Sequence, residues 1–531
     1  MKKYLIPQIS AISLLSSAKP QDDGWRFYFD ATDPSKEYLV ERIEQDDCMM
    51  FYQASVVLGI TDDNASTSDC LSDVFVYVDF SGIFDRRPIG RIAKLQQKVE
   101  YLFRPEGIEI VFDERYPAKR YFAFERSASM SRNNVLSFVR EDVYEPLRKR
   151  MMLGMSIGRC QLSKLYAYNG LMFTGGRRCK IAGLLHEKRI VVIDNPKSII
   201  QDADIITVED DGTDNPMRKY SRVERKADVE VLEFDGEGII SKELAERLDS
   251  KKNHHSFQIR LPYIKGVVHE IDFKMLFSEL GVKQITDIWG DAHAVNDVDM
   301  ILTKSMFKGF CWMTENGLTW TEYLKRCEQY DYALYISGMD KLAQQDTTEL
   351  NYQFLNTLAL TDEEFRPLNL PLGWDRSPNT DPRHWLTKTT EAAYYEYVGE
   401  YGDRRQCFSQ LIGSEELEVT DRRRLRAEII NQNPLFLEEP IYKKELSAKA
   451  ESVRQRYAVG QLLVAGDNRY LSDDLMRLLA YIVRCAEGES KAYKKLEEEC
   501  LSGNIIYAPQ PVYTTQEYYT LLRSPHIARN E

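Results

Sequence analysis

The sequence predicts an α+β protein of several domains, and three observations carry that expectation. At roughly 150 residues per domain, the 531 residues amount to about three or four domains, enough to bury several cores. Short period-two runs such as VFVYVDFSG (74–82), IEIVF (108–112) and FQIRL (257–261) alternate as strands do. Between them stand helical patterns, among them RIAKLQQKVEYLF (91–103) and DDLMRLLAYIVRC (473–485). In the latter, Leu475, Leu478, Leu479 and Ile482 share one face, and Ser472 is the expected cap.

Composition excludes several classes. With 43% hydrophobic and 29% charged residues of mixed sign, the chain is not disordered by composition. No stretch approaches the roughly 18 apolar residues of a membrane-spanning helix. The nine cysteines are odd in number and scattered, without a Cys-x-x-Cys, and the seven histidines are isolated apart from His254-His255. Structural zinc is therefore not expected, and reduced thiols point to the cytoplasm. The opening MKKYLIPQISAISLLSSAKP imitates a signal peptide, but Pro7, Gln8, Ser10 and Ser13 interrupt its apolar part.

In chain order, residues 1–145 form an α+β region with no legible chemistry. Net charge is −13 for the chain, which argues against a chain-wide grip on nucleic acid. Residues 145–190 nevertheless carry ten Lys/Arg against two Asp/Glu. There Lys164, Arg177 and Arg178 interleave with Tyr166, Tyr168 and Phe173, a composition suited to phosphates and stacked bases, or to a solvated face over core aromatics. An acidic, turn-rich connector (204–228) follows between RIVVID and VEVLEF. A helical middle begins near residue 320 and is interrupted by a loop bearing Pro367, Pro371, Pro378 and Pro382; a helix from Ser447 to about Tyr457 follows.

Residues 229–310 are the most informative. In DGEGIIS, Asp235, Gly236, Glu237 and Gly238 make a tight turn whose glycines allow positive φ and close approach of another chain. Asp235 and Glu237 are too close in sequence, and too poor in companions, for a hydrolase pair. Arg260 and Lys265, five apart, would face opposite ways on a regular strand, so Pro262 must bend the chain for them to converge. Lys304 and Lys308 flank Ser305. Several fixed cations without an obvious base suit phosphoryl or nucleotidyl transfer, which proceeds largely by positioning and charge neutralisation.

Four segments, DGEGIIS (235–241), QIRLPYIKGVV (258–268), KSMFK (304–308) and LLRSPHIARNE (521–531), resemble in order and rough spacing the cellular-type RNA-dependent RNA polymerases and their bacterial and phage relatives. The resemblance spans about residue 150 to the end. It implies a core of two double-psi β-barrels, the first in 226–320 and the second beginning at 460–531, after a basic template channel at 146–225 and a helical connector at 321–459. By motif match, Arg260, Lys265 and Lys308 look like the catalytic cations on nucleotide phosphates and the product 3′ end. Gln258, Lys304 and Arg523, with Lys164, Arg177 and Arg178, look like substrate or nucleic-acid contacts, and Asp235, Gly236 and Gly238 like a supporting turn. The implied partners are a nucleic-acid template and ribonucleoside triphosphates.

The resemblance also implies Mg²⁺ for the complete enzyme, held by an Asp-x-Asp-Gly-Asp loop that follows the Arg523–His526 segment and that this sequence does not contain. The expectation is therefore that this chain alone binds no catalytic metal and that a further segment or a second chain completes the second barrel. Asp297-Val298-Asp299 precedes the lysines and is a poor substitute. The alternatives are a non-catalytic nucleic-acid-binding protein on the same fold, or one half of a split polymerase.

Overall fold

The computed structural model describes residues 3–33, 40–60, 73–84, 90–156, 160–186, 188–210, 220–340 and 473–502, with a few short pieces elsewhere. The chain divides into two units, Met1–Leu342 with Ser472–Thr514, and Ala343–Leu471 with Thr515–Glu531.

The first unit opens with an eight-stranded sheet: β1 (Lys3–Ser10), β2 (Ala18–Gln21), β3 (Gly24–Asp30), β4 (Val40–Asp46), β5 (Phe75–Asp79), β6 (Ile108–Val111), β7 (Lys119–Ala123) and β8 (Val135–Arg140), in the order β2-β3-β6-β7-β8-β5-β1-β4. The leader-like opening is built into it: Ile6, Ile9, Leu14 and Leu15 are fully buried. β5 is buried on both faces rather than one. Val76 and Val78 enter one core with Phe27, Phe29 and Ile108, while Phe75 and Tyr77 enter another with Phe51 and Val139. The stretch expected as one helix over 91–103 forms a helix only over Arg91–Gln96 and a 3₁₀ turn over Val99–Phe103. Tertiary docking overrides propensity there, since Tyr101 packs so closely on Gly24 that a Cβ on that glycine would collide with its ring.

A seven-stranded mixed sheet follows: β9 (Arg177–Cys179), β10 (Ile190–Ile193), β13 (Glu237–Ile240), β14 (Ser256–Leu261), β15 (Ile264–Glu270), β18 (Met300–Thr303) and β19 (Leu334–Met339). Their order is β10-β18-β13-β15-β14-β19-β9. β10 runs parallel to β18 and β13 parallel to β15, and the other neighbours are antiparallel. Alternation again divides two cores: Ile240, Met300, Leu302, Phe257, Ile259 and Leu261 join the core shared with the N-terminal sheet, and Val191, Ile239 and Ile301 join the other. The helix Leu475–Glu487 covers that second face with Leu475, Leu478, Leu479 and Ile482, each contributing about 2 kcal/mol by burial. Its cap is Asp474, whose side chain accepts from the Met476 N–H, not Ser472, which lies outside the described residues.

The expected connector at 204–228 is instead largely a β-ribbon, β11 (Lys197–Asp210) paired antiparallel with β12 (Tyr220–Leu232). Lys226 to Val231 do alternate polar and apolar, as VEVLEF predicts, but in Asp202–Asp210 and Tyr220–Arg225 acidic and turn-forming residues around VEDDGTDNP mask the pairing. A small hairpin, β16 (Gln284–Thr286) and β17 (Ala292–Ala294), completes the first unit's strands among the described residues. In the second unit, β20 (Thr347–Glu349) pairs with β21 (Leu463–Ala465), within the expected GQLLVAGD segment. The proline loop and the helix expected from Ser447 lie outside the described residues. Among the described residues, no helix is long and apolar enough to cross a membrane.

Candidate functional site

Three of the four motif segments meet on the mixed sheet. QIRLPYIKGVV folds as the hairpin β14–β15, with Pro262 and Tyr263 as its two turn residues. Proline at the first central position and φ +62° at Tyr263 give the type II pattern, in which a non-glycine residue at the second position is strained. The strain is offset by anchoring from both sides. The buried Tyr263 hydroxyl donates toward the Met151 carbonyl and Asn169 Oδ1 (both 3.1 Å), and the Tyr323 hydroxyl donates to the Pro262 carbonyl at 2.6 Å. The reversal sets Arg260 directly opposite Lys265, and opposed residues of an antiparallel pair share a face. Pro262 thus does what the spacing requires.

An isolated antiparallel bridge between Ile264 and Phe307 lays KSMFK against this hairpin. The Asp235 turn joins through its backbone. The Val267 N–H donates to the Gly236 carbonyl (2.9 Å) and the Gly236 N–H donates to Ser305 Oγ (2.8 Å). Gly236 has φ +78°, as the turn expectation demands. Close approach is equally real: a Cβ on Gly238 would sit 2.5 Å from the Ile301 carbonyl oxygen, and one on Gly266 would sit 2.2 Å from that of Gly236.

Lys265 is exposed, whereas Arg260 is only 5% exposed and donates to the Ile259 carbonyl at 2.7 Å. Lys265 is the accessible member of the pair. Lys308 lies 3.9 Å from Asp235, and Lys304 lies 3.9 Å from Asp194 and over the Phe310 ring. Gln258 Oε1 accepts from Ser337 Oγ at 3.0 Å, which ties it to β19.

The residues expected on the nucleic-acid path are dispersed in role. Lys164 is exposed on the helix Leu162–Gly170, next to the exposed Leu162 and Tyr166. Arg177 is exposed on the edge strand β9, although its guanidinium donates to the Leu248 carbonyl. Arg178 is turned inward, stacked 3.7 Å over Tyr52 and paired with Asp331 at 3.3 Å. Arg523 lies outside the described residues.

A polar network beneath the site escaped the sequence reading. Asn195 donates to Ser305 Oγ (3.0 Å) and to the carbonyls of Glu233 and Phe234, and its Oδ1 accepts from the Ser305 N–H. Thr303 Oγ1 donates to the Glu237 carbonyl at 2.6 Å. Together they fix both ends of the Asp235 turn to KSMFK. Ser305, flanked by two lysines, was the one legible signal, and nothing local marks Asn195.

Asp299 is buried and neutralised by Arg189 and by Lys274 at 3.1 Å, so the Asp297-Val298-Asp299 carboxylates are not a free pair. No group of three or more His, Cys, Asp or Glu suited to a metal ion occurs among the described residues.

No protein-family model matches the chain. It is 24% identical over 425 residues to the DNA-directed RNA polymerase YonO of Bacillus phage SPbeta, an alignment covering 77% of this chain and 43% of that protein. Among solved structures, the RNA-dependent RNA polymerase QDE-1 from Thielavia terrestris aligns with a TM-score of 0.36 and 12% identity, over 77% of this chain and 36% of its own. The chain therefore spans less than half the length of either. In sequence it is thus similar to a phage RNA polymerase, in agreement with the family that its motifs resemble.

Proposed function

We propose that this chain forms the nucleotide-phosphate half of a template-directed RNA polymerase. The observation that carries this reading is the convergence of DGEGIIS, QIRLPYIKGVV and KSMFK through the Ile264–Phe307 bridge and the Gly236–Ser305 hydrogen bond. Such convergence is expected of one site and not of three chance motifs. Lys265 and Lys308 would neutralise the phosphate charge of a ribonucleoside triphosphate and of the product end, with Arg260 behind them and Lys304 at the side. Gln258 and the Asp235 turn would hold the geometry.

β13, β14, β15 and β18, four strands of the seven-stranded sheet, fall within 226–320, the stretch read as a first double-psi β-barrel. Lys164 and Arg177, on the exposed surface of the basic block, would meet a template backbone. Mg²⁺ belongs to the complete enzyme, where it would stabilise the leaving pyrophosphate. Free thiols at all seven described cysteines support a cytoplasmic setting.

The test is incorporation of labelled ribonucleotides by the complete enzyme, with Mg²⁺, on single-stranded RNA and DNA in parallel. Template-dependent product that disappears in Lys265→Ala and Lys308→Ala supports the reading, and full activity in both variants overturns it. Salt-sensitive strand binding without incorporation would instead favour a non-catalytic nucleic-acid-binding protein.

A further inference from the structure

A cleft of about 840 Å³ shares no lining residue with the cation cluster, and its size is that of a small-molecule site. Trp289 lines it and is 39% exposed. The Trp289 ring stacks on Trp320 (centroids 5.9 Å apart, planes at 20°), and Trp320 stacks on the buried Tyr323 (5.1 Å, 17°). Phe307, from the KSMFK segment, packs against both inner rings. A ladder of aromatic rings therefore starts beside the lysines and ends at an indole open to solvent.

The loop presenting that indole is rigidly built. Asp287 Oδ1 accepts from the N–H groups of Trp289 and Asp291 (both 2.9 Å), and Oδ2 pairs with His293 Nε2 at 2.9 Å. Gly290, at φ +91°, supplies the turn, and the Ile288 N–H donates to the Val192 carbonyl of β10. Such preorganisation suits recognition, because little ordering remains to be done on binding.

The lining also limits the ligand. Apart from Asp287, whose oxygens are taken by its own loop and by His293, the lining sets the carboxylates of Asp291 and Asp297 against Lys188, so a phosphate is disfavoured inside, whereas carboxylate and threonine oxygens accept from amino groups. A flat group with exocyclic N–H donors and a π-face fits, with any attached phosphate left outside. We propose that Trp289 is a stacking platform for an unpaired nucleobase of a single-stranded nucleic acid, an extension of the internal aromatic ladder by one ring. This inference does not rest on catalysis by the chain.

The test uses the full chain with a fluorescein-labelled ten-nucleotide oligoadenylate and an abasic oligonucleotide of equal length and charge. Trp289→Ala is expected to weaken oligoadenylate binding about tenfold, as loss of one base stack would, and to leave abasic binding unchanged; Trp289→Phe is expected to retain most of the affinity. Equal loss for both oligonucleotides, or no loss for either, overturns the proposal. Should Trp289→Ala change the circular dichroism spectrum, quenching of tryptophan fluorescence by adenosine 5′-monophosphate decides. Quenching in the unmodified chain that is absent in Trp289→Phe supports the platform, and identical quenching in both refutes it. Failure of nucleotide incorporation leaves these outcomes untouched.

Discussion

Arg260 and Lys265 stand directly opposite one another across a two-residue turn, yet one is buried and the other is exposed. Their substitutions should differ accordingly. Lys265→Ala should lower ribonucleotide incorporation by the complete enzyme about 100-fold, the scale of losing one fixed charge-stabilising group, with an unchanged thermal midpoint. Arg260→Ala should lower activity and stability together, because it empties a buried position. Parallel incorporation assays and melting curves check the contrast.

Asn195→Ala should destabilise the first unit by about 1–3 kcal/mol, because the Glu233 and Phe234 carbonyls and the Ser305 N–H lose a shared partner. The measurement is the denaturant midpoint. Ser305→Ala should also lower activity, through loss of the acceptor for the Gly236 N–H. An unaltered midpoint in Asn195→Ala would contradict this account of the network.

Gly266→Ala places a methyl group against the Gly236 carbonyl oxygen, at a backbone contact that cannot yield as a flexible side chain would. The expected result is a loss of stability of about 1–3 kcal/mol or failure to fold. Gly183→Ala is a suitable control, since a Cβ there meets no neighbouring atom within 4 Å and only its φ of +71° is strained. Soluble yield and thermal midpoint distinguish them.

Glu125 offers a pH test. Burial pushes its carboxyl up to about 7, against an opposing hydrogen bond from Asn169 and the nearby Arg126 charge. The folded state therefore holds this proton more tightly than the unfolded chain. The associated stability is complete below about pH 4.5, declines between pH 4.5 and 7, and is absent above, a change of order 3 kcal/mol. Glu125→Gln should flatten that decline. Because Asn169 also receives the Tyr263 hydroxyl, the loss should be felt at the β14–β15 turn. Urea unfolding at pH 5 and pH 8, for both forms, measures it.

The parts legible from sequence were those with a local physical cause. Proline cannot continue a strand ladder, so the reversal at Pro262 and the pairing it permits follow from spacing alone. Glycines at 236 and 238 answer to positive φ and to contact. What escaped depends on distant residues. Asn195 meets Ser305 across 110 positions, and Arg178 is drawn inward by Tyr52 and Asp331, which no count of charges in 145–190 could reveal. The depth of Arg260 relative to Lys265 likewise follows from the layers packed around the hairpin, not from the hairpin itself.

The acidic partners of the two KSMFK lysines have a further consequence. With Asp235 beside Lys308 and Asp194 beside Lys304, the resting site carries its own counter-charges in place of a condensed layer of salt. An arriving phosphate then exchanges one anion for another and releases fewer mobile ions, so its binding weakens less steeply with ionic strength than the number of lysines alone would dictate. The same carboxylates make loosely held anions poor competitors, since only a ligand that engages several cations at once repays their displacement.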